Sequence, residues 1–182
     1  MYGDSIAEVL LTEKEIQKRV QQLGREIADN YAGKNLILMG VLKGAFVFLA
    51  DLARNISIPL EIDFVAISSY GDSRQSSGVV EIAQGLERCL EGRHVLIVED
   101  IVDTGWTLRL SRLTEELYAR KAAGVKVCAL LDKPSRRRID VQIDYVGFVI
   151  PDKYVVGYGL DCGGLYRNLP FIGVLKEDGP SE

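Results

Sequence analysis

The sequence predicts an α/β domain with a mostly parallel sheet, and three observations carry that expectation. Short apolar runs at Leu36–Leu42 and Val95–Val98 have the continuous character of strands covered on both faces, and Val125–Leu131, apolar apart from Lys126, reads as another buried strand. Segments with apolar residues at helical spacing alternate with them. Acids, glycines and lysines gather just after the apolar runs, where the carboxyl ends of parallel strands hold ligands.

The elements follow in order. Thr12 and Glu15 have the spacing of a capping box, and Ile16, Val20, Leu23 and Ile27 lie on one face of the helix it opens. Gly33 is the expected stop. The strand at Leu36–Leu42 leads through Lys43-Gly44 to a second helix, with Phe46, Leu49 and Ala53 on one side. Leu60, Ile62, Phe64 and Ala66 alternate with Glu61, Asp63, Val65 and Ile67, the period of a strand. Residues 71–78 are a polar, glycine-bounded excursion before Val79-Val80-Glu81-Ile82; such a loop is more often plain surface than a functional lid. After the strand at 95–98, Leu110, Leu113 and Leu117 mark a helix ending near Gly124, and Val125–Leu131 is the next buried strand.

Composition sets the outer bounds. A chain of 182 residues with 47% hydrophobic and 26% charged residues fits one soluble domain with a sizeable core. A net charge of -4 argues against a general nucleic-acid binder. No apolar run has the length of a membrane span, and Met1-Tyr2-Gly3-Asp4 lacks the features of a signal peptide, so a cytoplasmic protein is expected. Cys89, Cys128, Cys162 and the lone His94 are scattered without zinc-ligand spacing; His94 reads as structural and Cys162 as a bystander.

Two common nucleotide signatures are missing: there is no G-x-x-x-x-G-K-[ST], and Gly157-Tyr158-Gly159 fails G-x-G-x-x-G at its last position. What stands out is Val95-Leu96-Ile97-Val98-Glu99-Asp100-Ile101-Val102-Asp103-Thr104-Gly105-Trp106-Thr107. A buried strand ends in an acid pair, a third acid follows, and a hydroxyl-bearing turn opens a helix. Free N–H groups at a helix start favour an anion, while the acids beside them call for hydroxyls and a divalent cation. A phosphorylated sugar satisfies both demands.

This motif resembles the ribose-5-phosphate and pyrophosphate donor motif of the type I phosphoribosyltransferases. Further blocks, in order from about residue 5 to 176, resemble the hypoxanthine-guanine branch: Leu42-Lys43-Gly44-Ala45, Ser69-Tyr70 with the segment after it, Leu130-Leu131-Asp132-Lys133, the run Val146–Asp161, and Tyr166-Arg167-Asn168-Leu169-Pro170. The resemblance implies a mostly parallel sheet flanked by helices, with a small hood built from terminal segments. It implies one domain over 1–182, a flexible catalytic loop about 69–78 and a C-terminal hood segment about 150–176.

The implied roles divide the site. Glu99 and Asp100 would hold the ribose hydroxyls, directly or through magnesium, as carboxylates are suited to do. Asp103, Thr104, Gly105, Trp106 and Thr107 would bind the phosphoribosyl group, with Asp103 also the general acid/base at purine N7. Leu42, Lys43, Gly44, Ser69, Tyr70 and Arg167 would contact pyrophosphate, and an unusual cis peptide would follow Leu42. Lys133 would donate to the 6-oxo group of a purine, Tyr154 would stack on the base and Val155 would read its edge. Asp161 would serve beside the purine and as a ligand of a second magnesium. The partners implied are phosphoribosyl pyrophosphate and a 6-oxopurine, with no nucleic acid and no membrane, in a homodimer or homotetramer.

Two departures from the family pattern bear on this. Trp106 stands where a small, polar or basic residue is common, and Cys162-Gly163-Gly164 replaces aromatic and polar or acidic residues after Asp161. The two glycines are expected to loosen that segment. Other functions open to this sequence are a phosphoribosyl-binding RNA regulator, or a transferase for xanthine or pyrimidine bases. The acidic balance counts against the regulator, and Lys133 and Tyr154 count against pyrimidines.

Overall fold

Residues 5–69, 80–84, 88–103, 106–136 and 142–176 are described by the computed structural model, apart from the side chains of 68–69, 80–84, 106–109 and 136. The chain runs β1 (Ile6–Leu11), α1 (Glu13–Asn30), β2 (Leu36–Leu42), α2 (Phe46–Asn55), β3 (Leu60–Ser69) and β4 (Val80–Gln84). It continues as β5 (His94–Val102), α3 (Trp106–Ala119), β6 (Gly124–Asp132), β7 (Tyr145–Val149), β8 (Val155–Val156) and β9 (Ile172–Leu175). The large sheet has the order β4-β3-β2-β5-β6-β7. Its strands β3, β2, β5, β6 and β7 are parallel, and β4 is an antiparallel edge.

Both faces of this sheet are covered, which is why Leu36–Leu42 of β2 and Val95–Val98 of β5 are apolar runs. Ile16, Val20, Leu23 and Ile27 of α1 and Phe48, Leu49 and Leu52 of α2 pack with Leu36, Leu38, Leu96 and Val98. Leu110, Leu113 and Leu117 of α3 pack with the alternate set, Ile37, Met39, Val95 and Ile97. Capping of α1 is as expected: Thr12 accepts from the Glu15 amide, and Glu15 accepts from the Thr12 amide. Arg19 on α1 donates through Nη2 to Val146 O at 2.6 Å and through Nε to Gly147 O at 3.0 Å, tying the helix to the edge strand β7.

Several expectations need correction. The first helix ends at Asn30, short of Gly33, and α3 ends at Ala119, where Lys121 at φ 65° turns the chain well before Gly124. On α2 the inner residues are Phe48, Leu49 and Leu52, while Phe46 is exposed. Almost every residue of that helix start is apolar, so periodicity alone fits more than one face. On β3, Val65 is buried whereas Ile62 and Phe64 are exposed.

The hood is a separate three-stranded antiparallel sheet, β1-β9-β8. Ile6 pairs with Leu175 and Leu11 with Ile172, so the beginning and end of the described chain are joined there. Val155 and Val156 extend the pairing on the other side of β9.

The two helices on the α1 face cross in close contact at Gly24, where a Cβ would stand 2.5 Å from the Asn55 carbonyl oxygen. Alanine gains about 1 kcal/mol of helix propensity over glycine, but overpacking against rigid backbone costs about 1–3 kcal/mol. Gly24→Ala is therefore expected to lower the free energy of unfolding by up to about 2 kcal/mol in urea denaturation. A gain in stability would show that the crossing has room to open.

Candidate functional site

Between β2 and β5 the strand order reverses direction: β2 leads outward to β3 on one side, and β5 leads to β6 on the other. Their carboxyl ends therefore frame the crevice in which doubly wound sheets bind ligands. The turn after β2 and the acid pair of β5 meet in this crevice. A Cβ on Gly44 would lie 1.6 Å from Asp100 Oδ2, so no larger residue fits there without moving the carboxylate. The preceding Leu42–Lys43 peptide is cis, as the resemblance implied.

Glu99 is fully buried, opposite Ala129 of β6. Asp100 is buried too, with the Ile101 amide donating to its Oδ1 at 2.9 Å. Burial pushes the Asp100 carboxyl up to about 6, against hydrogen bonds from the Ile101 and Asp100 amides and the charge of Arg167, which pull it down; Asp161 adds a small upward push. Asp103 follows the end of β5 and is partly exposed, ahead of the first turn of α3 at Trp106.

The hood closes over the same turn. Gly157, Tyr158 and Gly159 form an arc with φ of 100°, 49° and 104°, and a Cβ on Gly159 would stand 2.1 Å from Gly44 O. This arc opens no helix, consistent with its failing the dinucleotide fingerprint. Gly159 O accepts from Arg167 Nη1 at 2.6 Å, and Arg167 Nη2 forms an ion pair with Asp161 Oδ1 at 2.6 Å. The other Asp161 oxygen accepts from the Gly164 amide at 2.8 Å. The glycines expected to loosen this segment do the reverse. Gly163 and Gly164 adopt φ of 58° and 83°, and Cys162 and Leu165 close the pair with reciprocal backbone hydrogen bonds. Both glycines supply the positive φ of a tight two-residue hairpin turn, and that turn aims an amide at Asp161.

Lys133 lies at the end of β6, buried, with its ammonium donating to Lys153 O at 2.6 Å. Lys153 in turn pairs with Glu8 of β1 at 2.5 Å, so the next residues, Tyr154 and Val155, are anchored to the hood. Tyr154 is exposed, with its hydroxyl 3.4 Å from Asp161 O, while Val155 is buried. An exposed ring beside a buried ammonium offers a stacking face and a donor to one planar ligand.

The structure thus joins Gly44, Asp100, Asp161 and Arg167 into one contact set, and joins Lys133 to the strand entrance carrying Tyr154. Tyr70, Thr104 and Gly105 lie outside the described residues, as do the side chains of Ser69, Trp106 and Thr107. Sequence reasoning missed Gly159, Lys153, and Tyr158, whose hydroxyl donates to Asp51 Oδ2 at 2.7 Å. A tyrosine between two glycines was the available signal of a left-handed arc. No group of three or more potential metal ligands occurs among the described residues. The donor set nevertheless suits magnesium, which takes one or two carboxylates together with water and phosphate oxygens. Buried Asp100, whose charged form burial disfavours, is the kind of group a cation would stabilise.

Residues 7–162 match the phosphoribosyl transferase domain family. The chain is 51% identical over 176 residues to the hypoxanthine-guanine phosphoribosyltransferase of Bacillus subtilis, covering 97% of each. It is 48% identical over 182 residues to the bifunctional protein TilS/HprT of Listeria monocytogenes, of which it spans 28%. A crystal structure of a hypoxanthine phosphoribosyltransferase from Staphylococcus aureus superposes with a TM-score of 0.89 at 46% identity, over 96% of this chain and 94% of that one.

The Asp100 shift has a sign that can be tested. Its folded value of about 6 exceeds the usual 3.8, so the folded state holds the extra proton between those pH values. Stability from this group is fully present below about pH 4 and is lost as pH rises through about 6, by about 3 kcal/mol in all. Without magnesium, Asp100→Asn is expected to remove that decline from urea midpoints measured between pH 4 and 7.5. An unchanged slope would assign the decline to other groups.

Proposed function

We propose a reaction from one premise: this chain belongs to the hypoxanthine-guanine phosphoribosyltransferase family. It serves purine salvage, transferring phosphoribosyl from 5-phosphoribosyl 1-pyrophosphate to N9 of hypoxanthine or guanine and releasing pyrophosphate with IMP or GMP. The observation that supports it best is the packing of Gly44 against the buried Asp100 carboxylate, with the Asp161–Arg167 pair reached through Gly159. Three distant segments meet at one acidic, cation-suited crevice.

In this reading the N9–C1 bond forms as the C1–O bond to pyrophosphate breaks, and positive charge builds on the ribose. Glu99 and Asp100 hold the ribose hydroxyls and orient C1. Residues 103–107 take the 5-phosphate, and Asp103 accepts the proton of purine N7 as N9 attacks. Leu42, Lys43, Gly44, Ser69, Tyr70 and Arg167 bind the leaving pyrophosphate. One magnesium held by Glu99 and Asp100 and a second held by Asp161 would, when bound, neutralise charge on that leaving group. Lys133 donates to the 6-oxo group, Tyr154 stacks on the base, and Val155 and Asp161 line its edge. A donor at that position selects 6-oxopurines over 6-aminopurines.

The chain acts as one domain, with the segment at 69–78 closing over the site and 150–176 as the C-terminal part of the hood. Exclusion of water by such closure protects the cationic centre from hydrolysis. Assembly as a homodimer or homotetramer and a cytoplasmic setting accord with the family; no described helix is long and apolar enough to cross a membrane.

Incubation with magnesium, phosphoribosyl pyrophosphate and each base tests the proposal. Nucleotide is expected with hypoxanthine or guanine, little with adenine, and none once magnesium is chelated. No product from any 6-oxopurine would overturn the function. Asp103→Asn is expected to bind the donor but lose about 100-fold or more in kcat. Unchanged turnover would remove Asp103 from the acid/base role.

A further inference from the structure

We infer that Tyr158 and Asp51 are positioning residues for donor binding: their hydrogen bond fixes the hood arc that holds both Gly44 and Arg167. The inference rests on the proposed transfer reaction, since it concerns the pyrophosphate end of the donor.

Tyr158 is buried and adopts φ 49°, a conformation uncommon for a residue with a side chain. Its amide donates to Leu169 O at 2.8 Å, and its hydroxyl reaches Asp51 Oδ2 on α2 at 2.7 Å. The arc is thus held at one end by the segment that leads into β9 and at the other by a helix packed on the central sheet. What it holds in place is Gly159. That residue touches Gly44 O with its Cα, accepts from Arg167 Nη1 through its carbonyl, and donates through its amide to Arg167 O at 3.0 Å. A sequence of contacts therefore runs from Asp51 through Tyr158 and Gly159 to Gly44, and from there to Asp100.

Neither Tyr158 nor Asp51 is among the residues expected to meet substrate. Asp51 is partly exposed and also lies 3.5 Å from Arg54, itself largely in solvent, so its charge has water as well as the tyrosine for company. The phenol is the partner that depends on the bond, because it is buried and has little else to donate to. Removing the hydroxyl keeps the ring in the core but frees the arc, and donor binding must then reorder it.

Steady-state kinetics with phosphoribosyl pyrophosphate varied at saturating hypoxanthine, and the reverse, separate this role from plain structural support. Tyr158→Phe is expected to raise the donor KM about fivefold, with kcat and the hypoxanthine KM within about twofold of wild type. Asp51→Leu should reproduce that pattern, while Asp51→Asn, which retains an acceptor oxygen, should restore most of the donor KM. The double variant Tyr158→Phe with Asp51→Leu should be no worse than either single one. A donor KM unchanged in both Tyr158→Phe and Asp51→Leu, or a rise shared equally by hypoxanthine, would overturn the inference while leaving an active wild type and the proposed function intact. Wild-type protein that forms no nucleotide would overturn both.

Discussion

At Gly44 three parts of the chain approach to within contact of a single residue. Its Cα is packed on the Asp100 carboxylate from the end of β5, and its carbonyl oxygen touches the Cα of Gly159 in the hood. Only the absence of side chains at both glycines lets the turn after β2, the acidic strand end and the hood arc share this space. The packing also removes water from Asp100, which is why its carboxyl sits near 6. At neutral pH the folded protein therefore carries a buried charge that it would be more stable without. In the proposed reaction, a cation or a donor hydroxyl would relieve that cost, and part of the stability forgone in the ligand-free fold would become differential affinity for the donor.

In the proposed reaction, the hood would convert this crevice into a site for two substrates. Arg167 and Asp161 are locked to each other and to the Gly159 carbonyl on one side, and the Lys133 ammonium is engaged by the Lys153 carbonyl on the other. Both arrangements satisfy charged groups in the ligand-free state with partners on the hood. In the proposed reaction, incoming phosphate and purine oxygens would compete for the same donors, and binding would be coupled to the position of the hood rather than to the sheet beneath it. The Gly163-Gly164 turn adds to this order. A segment whose composition suggested slack is closed by a pair of reciprocal hydrogen bonds and fixes one oxygen of Asp161.

What the sequence made legible follows from how local each signal is. The runs 36–42, 95–98 and 127–131 are apolar on both faces because both faces are covered, and the first helix carries its own capping box. The acid pair and the turn after it are contiguous, so the donor motif could be read directly from residue order. The strand β1 was not legible: half of it is exposed and none of it is buried, and its partner β9 comes more than 160 residues later, so nothing nearby marks it. The inner face of α2 was misjudged because Phe46, Val47, Phe48 and Leu49 are all apolar, and only packing chooses among them. Tyr158 was seen only as part of a failed glycine fingerprint and of the run Val146–Asp161, and its positioning role was missed for a related reason. Its importance lies in a bond to Asp51, 107 positions away, that neither residue type announces alone.

The claim that the site is assembled around Gly44 is tested most directly by calorimetric titration of phosphoribosyl pyrophosphate with magnesium into Gly44→Ala, its folded state checked by circular dichroism. The methyl group would have to displace the Asp100 carboxylate, so donor affinity is expected to fall by about tenfold or more in a protein that remains folded. Wild-type affinity in that variant would contradict the account, because it would mean that the turn, the acid and the hood need not share one contact to bind the donor.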